Sequence, residues 1–176
     1  YQFVVTGPNG CTTEEEITIP EDYLVVPEAT ATASNILSCY FPETDLSGST
    51  NISSADFHWS GPGLDEATQN TTTNQSGIFT LIVTGDNGCS SSTDVQVFEE
   101  SDSPDVFTNV DNTIDCTTGS ISISGFSTVT SPSYNWSGPG TFEDSDLIYV
   151  TVAGTYTFTV VDLENGCSTT ADVIIQ

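Results

Sequence analysis

The residues of this chain best suited to chemistry are its five cysteines, which recur at regular intervals. Cys39 and Cys89 lie 50 residues apart, Cys116 and Cys167 lie 51 residues apart, and Cys11 has no counterpart upstream. None belongs to a Cys-x-x-Cys pair, the spacing typical of zinc sites. The pattern predicts disulfides of an oxidising compartment that involve Cys39, Cys89, Cys116 and Cys167 and leave Cys11 unpaired.

Carboxylate clusters form the second group of candidate residues. Ca²⁺ takes oxygen ligands, and the acidic segment with Glu99, Glu100 and Asp102 is the best calcium candidate. No cluster matches the D-x-[DN]-x-[DN]-G calcium loop. We therefore favour a solvated acidic face, with calcium as the alternative, and expect no other cofactor.

The single histidine and the two tryptophans complete the candidates. A general base at His58 would need a Ser or Asp beside it. If strand alternation directs Phe57 and Trp59 inward, His58 faces solvent, and the residue 77 positions later is Asn135. Trp59 and Trp136 could stack on sugars, but a single Trp on the third strand of a sandwich is usually a core residue. We expect no catalytic residue and two buried indoles.

All of these residues belong to a repeat of 77 to 78 residues. The sequence Trp-Ser-Gly-Pro-Gly begins at Trp59 and again at Trp136, and Asn-Gly-Cys ends at Cys11, Cys89 and Cys167. Proline and acidic residues mark linkers near residues 20–27 and 99–104. The repeat therefore predicts three parts: residues 1–20 as the last two strands of a preceding truncated module, residues 21–99 as a first complete module, and residues 100–176 as a second.

Within each module, apolar residues alternate with hydroxyl residues, as in the segments 120–124 and 155–160. This period of two predicts half-buried antiparallel strands. Asn-Gly at residues 9–10, 87–88 and 165–166 predicts type I′ hairpin turns, whose two central residues both have positive φ. The predicted fold is all-β, with tandem antiparallel β-sandwich modules of seven strands, immunoglobulin-like or PKD-like. The predicted core residues are Trp59, Trp136, Phe79 and Tyr156.

Two disulfide pairings are compatible with this fold. If four strands separate the cysteines of a module, they share one pole of the sandwich and bond within the module, as Cys39 with Cys89 and Cys116 with Cys167. If five strands separate them, they lie at opposite poles, beyond the distance of about 7 Å that a disulfide can span between Cα atoms. The alternative is then a bond between modules, from Cys39 to Cys167. We favour the intramodule pairing.

Charge excludes several classes of function. The chain has 25 acidic residues, no Lys or Arg, and a formal charge of −25. Nucleic-acid binding depends on cationic side chains, and an anionic membrane surface would repel the chain. Catalysis by a Schiff-base lysine, a P-loop lysine or an arginine finger is also excluded. With 36% hydrophobic residues, the chain should nevertheless fold.

One series of residues resembles a known class of repeats. It comprises a Cys, an alternating strand, aromatic-x-Trp-Ser-Gly-Pro-Gly, then Gly-x-Tyr/Phe-Thr-x-x-Val and Asn-Gly-Cys. This series is similar to the PKD-like and immunoglobulin-like repeats of large Bacteroidota cell-surface proteins, including SprB-type gliding-motility adhesins. The usual PKD turn, Trp-x-Phe-Gly-Asp-Gly, is replaced here by Trp-Ser-Gly-Pro-Gly. The resemblance implies secretion by the type IX route, display as a long filament or stalk, and no catalytic residue.

The expected function is therefore that of a structural and adhesive repeat segment of an extracellular, cell-surface filament, in which modules act as rigid spacers for adhesion or gliding. The expected partners are neighbouring modules of the same chain, other filament chains or surface glycans. The alternatives are a carbohydrate-binding module and a fibre subunit completed by strand exchange. An enzyme is not expected.

Overall fold

The computed structural model describes residues 1–19, 25–111 and 119–176, and every regular element in them is a β-strand. The all-β, antiparallel prediction is confirmed. In the described ranges, no helix is long and apolar enough to cross a membrane. The strands are β1 (Gln2–Thr6), β2 (Thr12–Glu16), β3 (Thr30–Ala33), β4 (Thr44–Ser49), β5 (Ala55–Gly61), β6 (Leu64–Glu66), β7 (Asn70–Thr73), β8 (Gly77–Gly85), β9 (Ser90–Val97), β10 (Phe107–Val110), β11 (Ile121–Phe126), β12 (Pro132–Gly138), β13 (Thr141–Glu143), β14 (Leu147–Val150), β15 (Gly154–Asp162) and β16 (Ser168–Ile175).

After the β1–β2 hairpin, the same sheet order occurs twice along the chain. The strands β3 to β9 form the sheets β3-β4-β7 and β6-β5-β8-β9. The strands β10 to β16 form the sheets β10-β11-β14 and β13-β12-β15-β16. In both sets, the first, second and fifth strands share one sheet, and the fourth, third, sixth and seventh share the other. This is an immunoglobulin-like order.

Two compact units, interleaved along the sequence, account for the described residues. One holds residues 1–32, 47–70 and 79–95, and the other holds residues 33–46, 71–78 and 96–176. The module boundaries near residues 20 and 99 concern the sequence repeat and stay predictions.

The core of the second unit lies between the two sheets of its sandwich. Sheet β10-β11-β14 contributes apolar side chains from β11 and β14, and the facing sheet contributes Trp136, Tyr156 and Phe158 with further residues of β15 and β16. The rings of Trp136 and Phe158 lie 4.7 Å apart. Because alternate residues of β15 point inward, the pattern Tyr-x-Phe-x-Val becomes a continuous apolar stripe. Each such buried side chain contributes about 1.5 to 3 kcal/mol to folding.

Trp59 is fully buried in the first unit, together with Phe79 and Leu81. Its indole Nε1–H donates to the carbonyl of Gln69 (3.2 Å). Trp136 is equally buried, but its Nε1–H has no hydrogen-bond partner among the described residues. An unpaired buried donor costs about 1 to 3 kcal/mol, so the two indoles contribute unequally to their cores.

The glycine of Trp-Ser-Gly-Pro-Gly allows a close ring contact in each repeat. A Cβ added to Gly61 would lie 2.4 Å from the ring of Phe79, and one added to Gly138 would lie 2.4 Å from the ring of Tyr156. Real side chains do not approach so closely. Only glycine therefore allows the aromatic ring of the neighbouring strand, β8 or β15, to pack against the backbone at this position.

The hairpin β1–β2 presents the same alternation, but its apolar face is uncovered. Tyr1, Phe3 and Val5 are 85%, 62% and 53% exposed. In the repeat frame, the matching positions of β8 are Phe79, Leu81 and Val83, which are 0% exposed. The strands pair in regular register from Gln2 with Glu16 to Thr6 with Thr12. The hairpin thus has the amphipathic pattern of the last two strands of a module.

The type I′ prediction for the Asn-Gly turns is wrong. Among the described residues only glycines have positive φ, with values of 82° at Gly10, 79° at Gly88 and 77° at Gly166. At the first turn, Gly10 N–H donates to Gly7 O (2.9 Å) and Gly7 N–H donates to Cys11 O (2.8 Å). This is a three-residue loop, in which a type I turn precedes a glycine with positive φ.

The third turn contains one residue more than the others. There, Gly166 N–H donates to Asp162 O (2.8 Å) and Asp162 N–H donates to Cys167 O (2.8 Å). This insertion between Asp162 and Cys167 explains why the repeat lengthens from 77 to 78 residues at its end.

Candidate functional site

A disulfide joins Cys39 to Cys167, with their Cα atoms 5.0 Å apart. Both residues belong to the second compact unit. This is the second of the two pairings considered from the sequence, and it excludes a bond from Cys39 to Cys89 or from Cys116 to Cys167. The favoured intramodule pairing is therefore wrong.

The reason lies in the strand count. Residues 39–89 are all described, and five strands, β4 to β8, separate Cys39 from Cys89. An odd number of antiparallel strands carries the chain to the opposite end of a sandwich, too far for a disulfide. Of the remaining cysteines, Cys11 is exposed, Cys89 is half-buried, and Cys116 lies outside the described residues.

Backbone hydrogen bonds to residues 98–100 also hold the segment around Cys39. Leu37 N–H donates to Phe98 O (2.9 Å), and Glu100 N–H donates to Leu37 O (2.8 Å), which forms a parallel bridge between Leu37 and Glu99. Leu37 is itself buried. We call residues 37–40, 98–102 and 165–167 the latch, since together they hold the segment before β4 against the β15–β16 turn.

Tyr40 forms the second contact of the latch. Its N–H donates to Asn165 O (3.1 Å), and its ring lies on Gly166, where an added Cβ would lie 2.6 Å from Tyr40 Cγ. Gly166 therefore serves the turn twice, by its positive φ and by leaving room for the ring. No sequence signal identified Tyr40, because the matching residue one repeat later is Thr117.

Asn165 connects the turn to the linker. Its Oδ1 accepts Cys167 N–H (2.8 Å), and its Nδ2 donates to Asp102 O (2.9 Å). In the first unit, Asn87 Nδ2 donates to Val25 O (3.0 Å), at the matching position of the repeat. The asparagine of Asn-Gly-Cys therefore binds the chain that enters the module, a role that the sequence did not reveal.

Glu99 is part of the latch and lines a shallow groove of about 600 Å³. Its two carboxylate oxygens accept the hydroxyls of Ser101 (2.7 Å) and Ser76 (2.9 Å). These hydrogen bonds, that of Ser101 first, lower the pKa of Glu99 because they favour the ionised form. The contribution to stability is present above the ordinary pKa and is lost as the pH falls through the lowered one.

The calcium site suggested at Glu99, Glu100 and Asp102 stays a prediction. In the described ranges, no three His, Cys, Asp or Glu side chains converge as metal ligands. Both oxygens of Glu99 are bound by serine hydroxyls, and Asp102 contributes its backbone carbonyl to Asn165. These contacts make the segment part of the latch.

His58 faces solvent and pairs with an acid on the neighbouring strand. Its Nε2 lies 2.9 Å from Asp65 Oδ1, and the two side chains are 46% and 82% exposed. In the second repeat, Asn135 Nδ2 donates to Asp144 Oδ1 (2.8 Å). His58 and Asn135 thus each bind an acidic residue, although Asp65 and Asp144 do not occupy matching positions of the repeat.

One group of exposed aromatic residues lies away from the tryptophans, on the outer face of sheet β10-β11-β14. Phe107 and Phe126 are cross-strand neighbours with rings 4.9 Å apart. Leu147 and Tyr149 of β14 are exposed on the same face of the sheet, opposite Ser124 and Ser122. We call Phe107, Phe126, Leu147 and Tyr149 the aromatic strip. The repeat places Thr30, Ser49, Asn70 and Thr72 at the same positions of the first module.

Comparisons add no family to this description: no family profile and no curated protein matches the chain. Among solved structures, it is similar to murine CEACAM1b, at 12% identity and a TM-score of 0.35, over 85% of this chain and 99% of that one. A chain from the crystal structure of a mouse coronavirus receptor-binding domain complexed with its murine receptor gives 12% identity and a TM-score of 0.40, over 85% and 99%. An amphioxus IgVJ-C2 molecule gives 13% and 0.37, over 86% and 96%. The immunoglobulin-like assignment comes from the strand order.

Proposed function

We propose that the chain is a structural and adhesive repeat segment of a secreted filament or stalk on a cell surface, in which sandwich modules act as spacers. The observation that carries this proposal is the Cys39–Cys167 bond, which joins a residue of the first predicted module to one of the second. A covalent link at such a junction holds consecutive modules together under load. Disulfides persist in extracellular and other oxidising compartments, in agreement with this location.

Charge and chemistry support the same role. A formal charge of −25 repels neighbouring filaments and keeps them soluble. His58 and Glu99 serve local hydrogen bonding, which favours an inert module over an enzyme. The resemblance to Bacteroidota adhesin repeats extends the proposal to type IX secretion and gliding.

Surface labelling of intact cells tests this proposal. Antibodies raised against residues 1–176 should label unbroken cells of the source organism, and chymotrypsin added outside the cells should remove the label. Trypsin should not cut within this segment, because the chain has no Lys or Arg. A label that appears only after lysis would contradict a surface role.

The aromatic strip favours a second candidate function, carbohydrate binding. Its exposed rings adjoin hydroxyl side chains, since Ser122 lies opposite Tyr149 and Ser124 lies opposite Leu147. Exposed aromatic clusters of this kind mark binding surfaces, and the acidic surroundings would select a neutral polysaccharide.

Replacing the strip by the residues of the first module tests this second candidate. In the double variant Phe126→Ser, Tyr149→Thr, retention on a neutral polysaccharide array should fall by at least about tenfold, because two stacking faces are removed. The change lies on an outer face and should alter the free energy of unfolding by less than about 1 kcal/mol. If the unmodified chain is not retained on any glycan, this candidate is excluded.

A further inference from the structure

We infer that the turn Asn9–Cys11 is an acceptor site for another sandwich module, which it would bind through a Cys-Tyr segment as the Cys167 turn binds Cys39 and Tyr40. The inference concerns the turn itself, and its failure would leave the filament proposal intact.

The two turns share the conformation of their last residues, Asn-Gly-Cys, although the Cys167 turn contains one residue more. Gly10 and Gly166 have φ values of 82° and 77°. Cys11 N–H donates to Asn9 Oδ1 (3.2 Å), and Cys167 N–H donates to Asn165 Oδ1 (2.8 Å). The groups that receive Cys39 and Tyr40 in one turn, namely a sulfur, a bare glycine face and an asparagine carbonyl, are therefore present in the other.

The turns differ in what covers them. Asn165 and Cys167 are 8% and 1% exposed, and the ring of Tyr40 covers Gly166. Asn9, Gly10 and Cys11 are exposed, and no described atom lies within 4 Å of a Cβ placed on Gly10. The site that holds Tyr40 in the second unit is thus open at the β1–β2 hairpin, beside a thiol that is free.

The partner is defined by what the occupied turn binds. It is a bent segment with an apolar residue, a serine, a cysteine and a tyrosine in succession, as in residues 37–40, where Ser38 N–H donates to Phe41 O (2.9 Å). Residues 35–41 contain no charged side chain, so the acidic run Glu14–Glu16 of the hairpin does not repel such a segment. The residue after Cys116 is Thr117, which makes the second module of this chain a poorer donor than the first.

Bond formation requires an oxidant, which oxidised glutathione supplies. The partner's thiolate attacks glutathione disulfide and releases one glutathione thiol, and Cys11 then attacks the partner's sulfur in the mixed disulfide and releases the second. Two thiols lose two protons and two electrons, and one glutathione disulfide becomes two thiols.

Peptide capture by the full chain tests this inference. The probe is a peptide of residues 35–41, and its matched control carries Tyr40→Ser. Each is equilibrated with the chain in a glutathione buffer, and the adduct at Cys11 is measured by peptide mapping and mass spectrometry. We expect the tyrosine peptide to accumulate at Cys11 at least about fivefold over the serine peptide, because only tyrosine can pack on the glycine face.

Two variants separate recognition from simple thiol reactivity. Cys11→Ser should abolish the adduct at this turn. Gly10→Ala should keep the thiol but remove the preference for tyrosine, since the added Cβ occupies the place of the ring. Equal capture of both peptides by the unmodified chain, or a tyrosine preference that survives in Gly10→Ala, would overturn the inference.

Discussion

The double variant Cys39→Ala, Cys167→Ala should lose about 5 kcal/mol of unfolding free energy from the second unit. The bond spans 128 residues, and the chain-entropy relation gives about this value for a loop of that length. Alanine avoids placing a hydroxyl at position 167, which is buried. Urea unfolding monitored by tryptophan fluorescence provides the measurement, and Cys11→Ser, at an exposed thiol, is the control that should change stability by less than about 0.5 kcal/mol. A loss below about 1 kcal/mol in the double variant would show that the latch holds without its disulfide.

The same variant should also lengthen under force. While the bond is intact, a load applied at the chain ends bypasses the residues between Cys39 and Cys167. Without it, this segment, whose ends are 128 positions apart, can extend by about 3.6 Å per position, a gain of roughly 460 Å in the fully unfolded chain. Optical tweezers resolve this difference, which measures how much of the chain the disulfide removes from the load path.

Side-chain alternation explains why the core could be predicted. In β15, every second residue from Tyr156 to Val160 is apolar, and only one face of a sheet can be buried in a two-sheet sandwich. The same reasoning places Trp59 and Phe79, both fully buried. These positions follow from local sequence because burial is set by the period of two.

The disulfide pairing could not be predicted because it depends on a strand of three residues. Without β6, Leu64–Glu66, four strands would separate Cys39 from Cys89 and the two would share a pole. With it, the count is five. Such a short strand exists because it can pair with β5, as Asp65 does with Ser60, and no propensity of its own signals it.

The type I′ prediction for the Asn-Gly turns was wrong because it considered the dipeptide without the residues that flank it. The dipeptide Asn-Gly favours a two-residue loop only if the flanking residues close it, but here Gly7 closes a loop that also includes Pro8. Proline fixes φ near −65° and therefore suits the first central position of a type I turn. Asn9 keeps a negative φ, and its side chain is free to accept Cys11 N–H.

Gly166→Ala should destabilise the chain more than Gly88→Ala, although the two glycines have nearly the same φ of 77° and 79°. Alanine at either position costs about 1 kcal/mol because a side chain disfavours positive φ. At Gly88 nothing described lies within 4 Å of the added Cβ, whereas at Gly166 the ring of Tyr40 lies 2.6 Å away and must move. We expect Gly166→Ala to cost about 1 to 2 kcal/mol more than Gly88→Ala in urea unfolding.

Repeating both glycine substitutions in a Tyr40→Ala chain tests whether the ring causes this difference in stability. With the ring removed, Gly166→Ala should cost no more than Gly88→Ala, because only the φ penalty remains in both. If the extra cost persists without the ring, the turn at Asn165–Cys167 is sensitive for reasons internal to the hairpin, and Tyr40 adds nothing to the latch. If it vanishes, the glycine of Asn-Gly-Cys is required as the surface on which a neighbouring segment packs, as well as for its φ.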